Sequence, residues 1–453
     1  MLLIAAALLT ASMHSLGVVE APAVPTSVPA VVVHTVGAVH DDPTVPLVQP
    51  TGGQLDVDAI AHARGAALLD ALVSVSPADL RRIATDAAVV TTVQDDPPTA
   101  AEVATWWAGL DHDEHQVLET LAPSVVGNLE GVPYDVRDRA NRVTMTAELA
   151  DRTTPPAETA MLGQVRKSLE SEPGDPRRSL ITLDTRGAGR AAIAIGDLDT
   201  AADVTVVVPG MFFTVTGQMT DFTDTANDLA SEQATLAPVA VPGHGNGVAV
   251  VAWMGYRTPD LSNILSLGLA QTGAERLERA VDGLRTVRGA EQPRLNIVAH
   301  SYGSTTALIA LASGRMEADS LTVLGSPGSS VRHASQLAVT SGEVFVGGAH
   351  SDPIAGSGYF GTDPGSASFG STSLDLAASA DTDAAGDVFR RPSGHNDYLK
   401  PGTASLHDVA LIAVGRGDLV REQLRRGEGP SGDGVPGTPD MYLVRPQDLQ
   451  PRD

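Results

Sequence analysis

The chain has 453 residues, 42% hydrophobic and 19% charged, enough apolar material for a globular protein of two or three domains. A balance of 30 Lys+Arg against 55 Asp+Glu gives a formal charge of −25, which argues against nucleic acid and anionic membrane as partners, since both need a basic patch. Cysteine is absent, so thiol catalysis, disulfides and Cys-ligated zinc are excluded, and the 12 histidines show no His-Glu-x-x-His or paired spacing for a metal.

Residues 1–53 read as a leader or signal-like segment followed by an extended linker. An apolar run covers residues 2–9, and Ala21-Pro22-Ala23 fits a small-x-small cleavage site, but no Lys or Arg precedes the run. Localisation therefore stays open between cytoplasmic and secreted. No later stretch holds the roughly 18 consecutive apolar residues of a membrane helix, so no integral membrane span is expected. Residues 20–53, rich in Pro, Val and Thr without helical period, form the linker.

Residues 54–175 read as an all-helical region. Apolar positions Ile60, Ala63, Ala67, Leu68, Leu72 and Val73 hold a helical stripe, and Ser76-Pro77-Ala78-Asp79 starts the next helix with a cap and an N1 proline. Thr99 caps a helix carrying Val103, Trp106, Trp107 and Leu110, and Asp111 opens another that ends near Ala122-Pro123. Residues 137–150 and 157–169 complete the region.

From residue 176 to 424 short apolar runs alternate with helical segments. Strands are expected at 180–183, 191–195, 204–208, 248–253, 295–298, 320–324 and 343–346, and helices at 218–231, 273–288, 303–313 and 403–414. Two strands close together, then strands alternating with helices, imply a mainly parallel sheet with helices on both faces. The tail, residues 425–453, is rich in Gly, Pro and charge and is expected to be disordered.

The fifth expected strand runs into Ala299-His300-Ser301-Tyr302-Gly303 and then directly into a helix. Strand, sharp turn and helix with a serine at the apex is the layout of a nucleophile elbow. Gly303 answers a steric need, because the helix leaves the strand at close range. Position 299, usually Gly in this pattern, is Ala.

A serine hydroxyl needs a base to take its proton, an acid to orient that base, and donors for the oxyanion. In this arrangement the chain order is serine, acid, histidine. Asp352, in Gly347-Gly-Ala-His-Ser-Asp-Pro353, follows the strand after 320–324 and is the candidate acid; Asp363 is its rival, deeper in a loop. His395, in Arg391-Pro-Ser-Gly-His-Asn-Asp-Tyr398, is the candidate base. His407 lies within a helix, His333 and His350 in loops, and His300 diverges from its neighbour Ser301 and packs beside the elbow. The expected oxyanion donors are the backbone N–H of Tyr302 and that of Met211 or Phe212, where Gly210 lets the backbone approach a substrate. Trp253 and Tyr256, at the end of the fourth strand, support the pocket. The Gly/Ser-rich stretch 355–386 is expected to be a long mobile loop over the site.

These residues, with Pro209-Gly210-Met211, Trp253-Met-Gly-Tyr256 and Gly361-Thr-Asp-Pro364, resemble the actinobacterial α/β-hydrolase family first defined as a domain of unknown function. The helical region adds Trp106-Trp107-Ala-Gly-Leu110, then Pro123 with Val126-Gly127-Asn128-Leu-Glu-Gly131-Val-Pro133, and Val136-Arg137-Asp138-Arg-Ala-Asn141-Arg142. The resemblance covers residues 100–415 and implies an α/β-hydrolase fold preceded by the helical region, with serine-hydrolase chemistry on an unassigned substrate. The expected reaction is acyl transfer on a small-molecule or lipid ester, or an amide, with no cofactor. The alternative is a noncatalytic interaction protein that uses the helical region beside a vestigial hydrolase domain.

Overall fold

The structure, a computed structural model, describes residues 57–237, 247–349, 352–376 and 388–426. The expected leader and linker lie outside these residues, as do His350 and the tail beyond Arg426.

Nine helices open the described chain: α1 (Val57–His62), α2 (Ala66–Ser74), α3 (Pro77–Thr85), α4 (Ala87–Asp95), α5 (Ala100–Gly109), α6 (His112–Leu121), α7 (Pro123–Val126), α8 (Tyr134–Ala150) and α9 (Pro156–Ser168). Their starts follow from local chemistry. Ser76 accepts from the Asp79 amide ahead of Pro77, and Thr99/Glu102 and Asp111/Glu114 form reciprocal capping boxes. Leu68, Leu72, Ile83, Val103, Leu118 and Val126 bury the apolar stripes in a core of their own.

Eight strands follow: β1 (Arg178–Asp184), β2 (Arg190–Ile195), β3 (Asp203–Val208), β4 (Val248–Met254), β5 (Arg294–His300), β6 (Ser320–Leu324), β7 (Val344–Gly347) and β8 (Thr372–Ser373). They form one sheet in the order β1-β2-β4-β3-β5-β6-β7-β8. β2 runs antiparallel to β1 and β4, and every other pair is parallel. This is the expected mainly parallel sheet after a helical region. Strands β2 and β6 are buried along their whole length, as strands covered on both faces are.

Helices cover both faces. On one side α11 (Gly268–Arg288) and α12 (Tyr302–Ala312) contribute Leu277, Val281, Leu308 and Leu311 to the core. On the other, α10 (Val215–Leu236) and α13 (Ala404–Ala413) contribute Phe222, Leu229, Val409 and Ile412, joined by Met161 and Leu162 of α9. A last helix, α14 (Gly417–Arg426), was not expected from the sequence.

The helical region covers the outer edge of the sheet. β1 is an edge strand, and an unpaired edge leaves backbone groups open to other chains. Asp138 accepts the Leu180 amide at 2.7 Å, Asn141 donates to the Leu180 carbonyl at 3.0 Å, and Asn128 accepts the Leu183 amide at 2.9 Å. Arg142 donates to the Arg178 carbonyl at 2.6 Å. The polar helical signature is thus an edge cap made of side chains, and Asp138 and Asn141 are buried because they serve it.

The register aligns the strand ends that carry the loops of interest. Val208 lies opposite Ala299, His300 opposite Leu324, and Leu324 opposite Gly347. Residues 209–213, the turn at 301 and the loop holding Asp352 therefore leave the sheet along one rim.

The described part of the expected mobile loop is packed instead. Ser329 bridges to Thr362, β8 adds to the sheet, and Phe369, Leu374 and Leu376 are buried. Residues 377–387 lie outside the described residues. No helix among the described residues is long and apolar enough to cross a membrane.

Candidate active site

The turn after β5 is as tight as its sequence requires. Ser301 has φ 55° and ψ −128°, a conformation that costs a non-glycine residue on the order of 1–3 kcal/mol and persists only where its surroundings hold it. Its amide donates to the Leu324 carbonyl at 2.9 Å. A Cβ at position 303 would lie 2.4 Å from the Pro209 carbonyl oxygen and 2.6 Å from that of Val208, so only glycine fits there. Gly210 is equally constrained, since a Cβ would lie 2.7 Å from Ser301 Cβ. Ala299, in place of the usual glycine, is buried in the core and its methyl is accommodated.

Three of the expected side chains meet. The hydroxyl of Ser301 lies 2.7 Å from His395 Nε2, and His395 Nδ1 lies 3.0 Å from both carboxylate oxygens of Asp352. An ionised carboxylate can only accept, so Nδ1 carries the proton and Nε2 is left to accept from the serine hydroxyl. All three residues are at most 5% exposed, so these bonds are shielded from competing water.

Asp352 is held ionised by its partners. Burial pushes its carboxyl up, but hydrogen bonds and charge from His395, the Tyr398 hydroxyl and the Ile354 amide outweigh burial and hold it below its ordinary value. Tyr398 donates to Asp352 Oδ2 at 2.5 Å and accepts the Ala349 amide at 2.8 Å. Burial, and then the Asp352 charge, push the Tyr398 phenol well above its ordinary value, so it remains a neutral donor. The sequence reading missed Tyr398. Its one sequence signal is that it lies three residues after His395.

His300 packs beside the turn, as expected. Its Nε2 lies 2.6 Å from the backbone carbonyl of His395, so that nitrogen donates. Burial, and then the neighbouring His395, lower its pKa to about 3, so the ring stays neutral.

The loop after β3 separates the two oxyanion candidates. The Phe212 amide donates to the Pro259 carbonyl at 3.0 Å and is already used, which corrects the expectation that it faces the serine. Met211 lines the same space as Ser301 and Tyr302, and its amide is the remaining candidate. Phe212 has φ 62°; it and Ser301 are the two non-glycine residues with positive φ among the described residues, one on each loop.

Tyr256 and Trp253 have different places. The Tyr256 hydroxyl donates to the Pro209 carbonyl at 2.7 Å, fixing the loop that carries Gly210 and Met211. Trp253 stacks on Tyr256 but lines a separate cavity with Tyr134, Arg137, Val281 and Leu284, under the helical region. It therefore does not line the space at Ser301 but backs the Tyr256 ring that holds this loop.

The rival residues are engaged elsewhere. Asp363 accepts the Gly365 amide at 2.8 Å in a turn. His407 pairs with Glu232 and His333 with the Ser368 carbonyl. A cavity of about 150 Å³ lies behind the Met211 loop, lined by Phe212, Phe222, His300, Asn396 and Leu399 but not by Ser301.

Comparison with known proteins agrees with this architecture. A family model described as alpha/beta hydrolase matches residues 184–362. The uncharacterised protein Rv2079 of Mycobacterium tuberculosis is 32% identical over 384 residues, covering 72% of this chain and 58% of its own length. The uncharacterised protein Rv0963c of the same organism is 33% identical over 213 residues, covering 45% of this chain and 79% of its own. The chain thus spans only 58% of the length of the first of these relatives. Among solved structures, an esterase/lipase from an uncultured bacterium matches at 10% identity and TM-score 0.33, over 63% of this chain and 97% of that one. XC6422 from Xanthomonas campestris, an a/b serine hydrolase without lid, matches at 16% identity and TM-score 0.31, over 57% and 97%. Likeness at that level carries nothing about chemistry.

Proposed function

This chain belongs to the α/β-hydrolase family, and on that premise we propose that it is a serine hydrolase acting on a small-molecule carboxylic ester, or an amide, through an acyl-enzyme. The observation that carries the reading is the unbroken hydrogen-bond chain from Ser301 through His395 to Asp352, with the serine on a positive-φ turn. Residues 176–424 form the catalytic domain in this proposal, and residues 54–175 the helical region that closes its edge.

His395 Nε2 takes the proton of Ser301 as Oγ bonds to the substrate carbonyl carbon. The carbonyl oxygen becomes an oxyanion, held by the amides of Tyr302 and Met211. Asp352 stabilises the imidazolium and fixes its tautomer, and Tyr398 keeps Asp352 in place. As the tetrahedral intermediate collapses, the bond to the leaving oxygen breaks and that oxygen takes the proton from Nε2. Water then repeats the sequence on the acyl-enzyme and releases the acid.

The test is hydrolysis of p-nitrophenyl acetate by the purified protein. Ser301→Ala should lower turnover by on the order of 10³-fold or more. Equal rates in the two proteins would remove Ser301 from the mechanism.

A further inference from the structure

The space beside Ser301 is small and apolar. It is walled by Met211, Ile264, Pro327, Ile354, Tyr359 and Phe360, and its volume is about 20 Å³. One water needs about 10–15 Å³ on that measure, so this space takes only a few heavy atoms.

Its position identifies which half of the substrate it receives. The leaving oxygen must reach His395 Nε2, so the alcohol part lies toward the loop carrying His395. None of the walls comes from that loop, whereas Met211 and Tyr302, the proposed oxyanion donors, both border the space. The group left on the serine therefore points into it.

The walls are also pinned. The Phe360 amide donates to the Pro327 carbonyl at 3.1 Å, and the Thr362 amide to the Ser329 carbonyl at 2.7 Å. The Phe360 ring meets Tyr302 edge-on at 5.4 Å and Tyr359 at 4.8 Å. The segment carrying Ile264 is held by the Phe212 amide on the Pro259 carbonyl and by the Tyr302 hydroxyl on the Ser266 carbonyl at 2.6 Å. A longer chain would have to displace the half-buried Phe360 ring from its contacts with Tyr302 and Tyr359.

We propose that this space is the acyl subsite, and that Phe360 and Ile264 limit the enzyme to short acyl groups, from acetyl to butyryl. The proposal rests on the serine-hydrolase reading above. A one-methylene misfit in an apolar pocket changes discrimination by about 10-fold or more, so the cut-off should be sharp.

The experiment is a series of p-nitrophenyl esters from acetate to decanoate on the full chain, with inactivation by p-nitrophenyl ethyl- and octylphosphonates in parallel. The wild-type protein should favour acetate or butyrate over octanoate by about 10-fold or more in kcat/KM, and react faster with the ethylphosphonate. Phe360→Ala should raise the octanoate-to-acetate ratio by about 10-fold; Phe360→Leu serves if the alanine variant fails to fold. Wild-type protein that cleaves octanoate as well as butyrate overturns the subsite proposal and leaves the hydrolase reading standing. If neither ester nor phosphonate reacts, both fall together.

Discussion

Tyr398 and Asp352 lie 46 positions apart in the chain, yet the phenol hydroxyl donates to the carboxylate at 2.5 Å and is itself fixed by the Ala349 amide. One loop thus supplies both the candidate base, His395, and the group that holds the acid to which it bonds. The Asp352 carboxylate has two oxygens to orient: Tyr398 holds Oδ2, the Ile354 and Ala355 amides hold Oδ1, and His395 Nδ1 lies 3.0 Å from both.

Tyr398→Phe removes one hydrogen bond to a buried charge and leaves the Ala349 amide without its acceptor. Loss of a hydrogen bond to a charged group costs about 1.5–3 kcal/mol. Urea denaturation should show a loss of that order, and ester kinetics should show a fall in kcat with little change in KM. A variant with wild-type stability and kcat would show that Asp352 is positioned without Tyr398.

Gly303→Ala places a methyl where two backbone carbonyls stand at 2.4 and 2.6 Å. Backbone cannot yield as a flexible side chain does, so the elbow must open, at about 1–3 kcal/mol or more. Thermal denaturation should detect the loss, and labelling of Ser301 by a fluorophosphonate should slow sharply. Unchanged labelling would mean that the helix can leave the strand on a wider turn.

His300 makes stability depend on pH. Its pKa falls from 6.5 to about 3 because of burial and then His395, so between those values the unfolded chain binds more protons than the folded one. The stabilising contribution is fully present above about pH 6.5 and is lost as pH falls toward 3. Asp352, also held below its ordinary value, acts with the same sign at lower pH. Urea midpoints across this range should fall with pH, and His300→Gln should flatten the dependence. The same slope in wild type and variant would place the effect elsewhere.

Asn141→Ala should uncouple the helical region from the sheet edge. The side chain is fully buried and donates to the Gly127 carbonyl at 2.8 Å and the Leu180 carbonyl at 3.0 Å. The Gly127 carbonyl keeps the Arg137 Nε–H at 3.4 Å, but the Leu180 carbonyl loses this donor, and a buried acceptor left unpaired costs about 1–3 kcal/mol. Chemical denaturation should show the loss, and amide exchange in β1 should speed up. Unaltered exchange there would mean that the edge is protected by packing alone.

Much of the fold could be read from the chain because its strands are buried on both faces. Short, mostly apolar runs such as 204–208 and 295–298, interrupted only by Thr205 and Asn296, admit few other readings, and each is followed by a helix. β8 escaped because two residues carry no pattern. Ser301, Asp352 and His395 could be named because each sits just past a strand or before a helix, where chain order restricts the choice. Tyr398 could not, since a tyrosine in a loop has no local mark of its partner. The choice between the Met211 and Phe212 amides depends on the Pro259 carbonyl, which belongs to the loop after another strand. The role of Asp138 and Asn141 was not legible within their helix, because only the assembled edge of β1 gives them their partners.

The central claim is that His395, oriented by Asp352, makes Ser301 nucleophilic. Mass spectrometry of fluorophosphonate-treated protein tests it most directly. The adduct should fall on the peptide containing Ser301, be absent in Ser301→Ala, and form far more slowly in His395→Ala. An adduct on another residue, or one formed at the same rate without His395, would contradict the account.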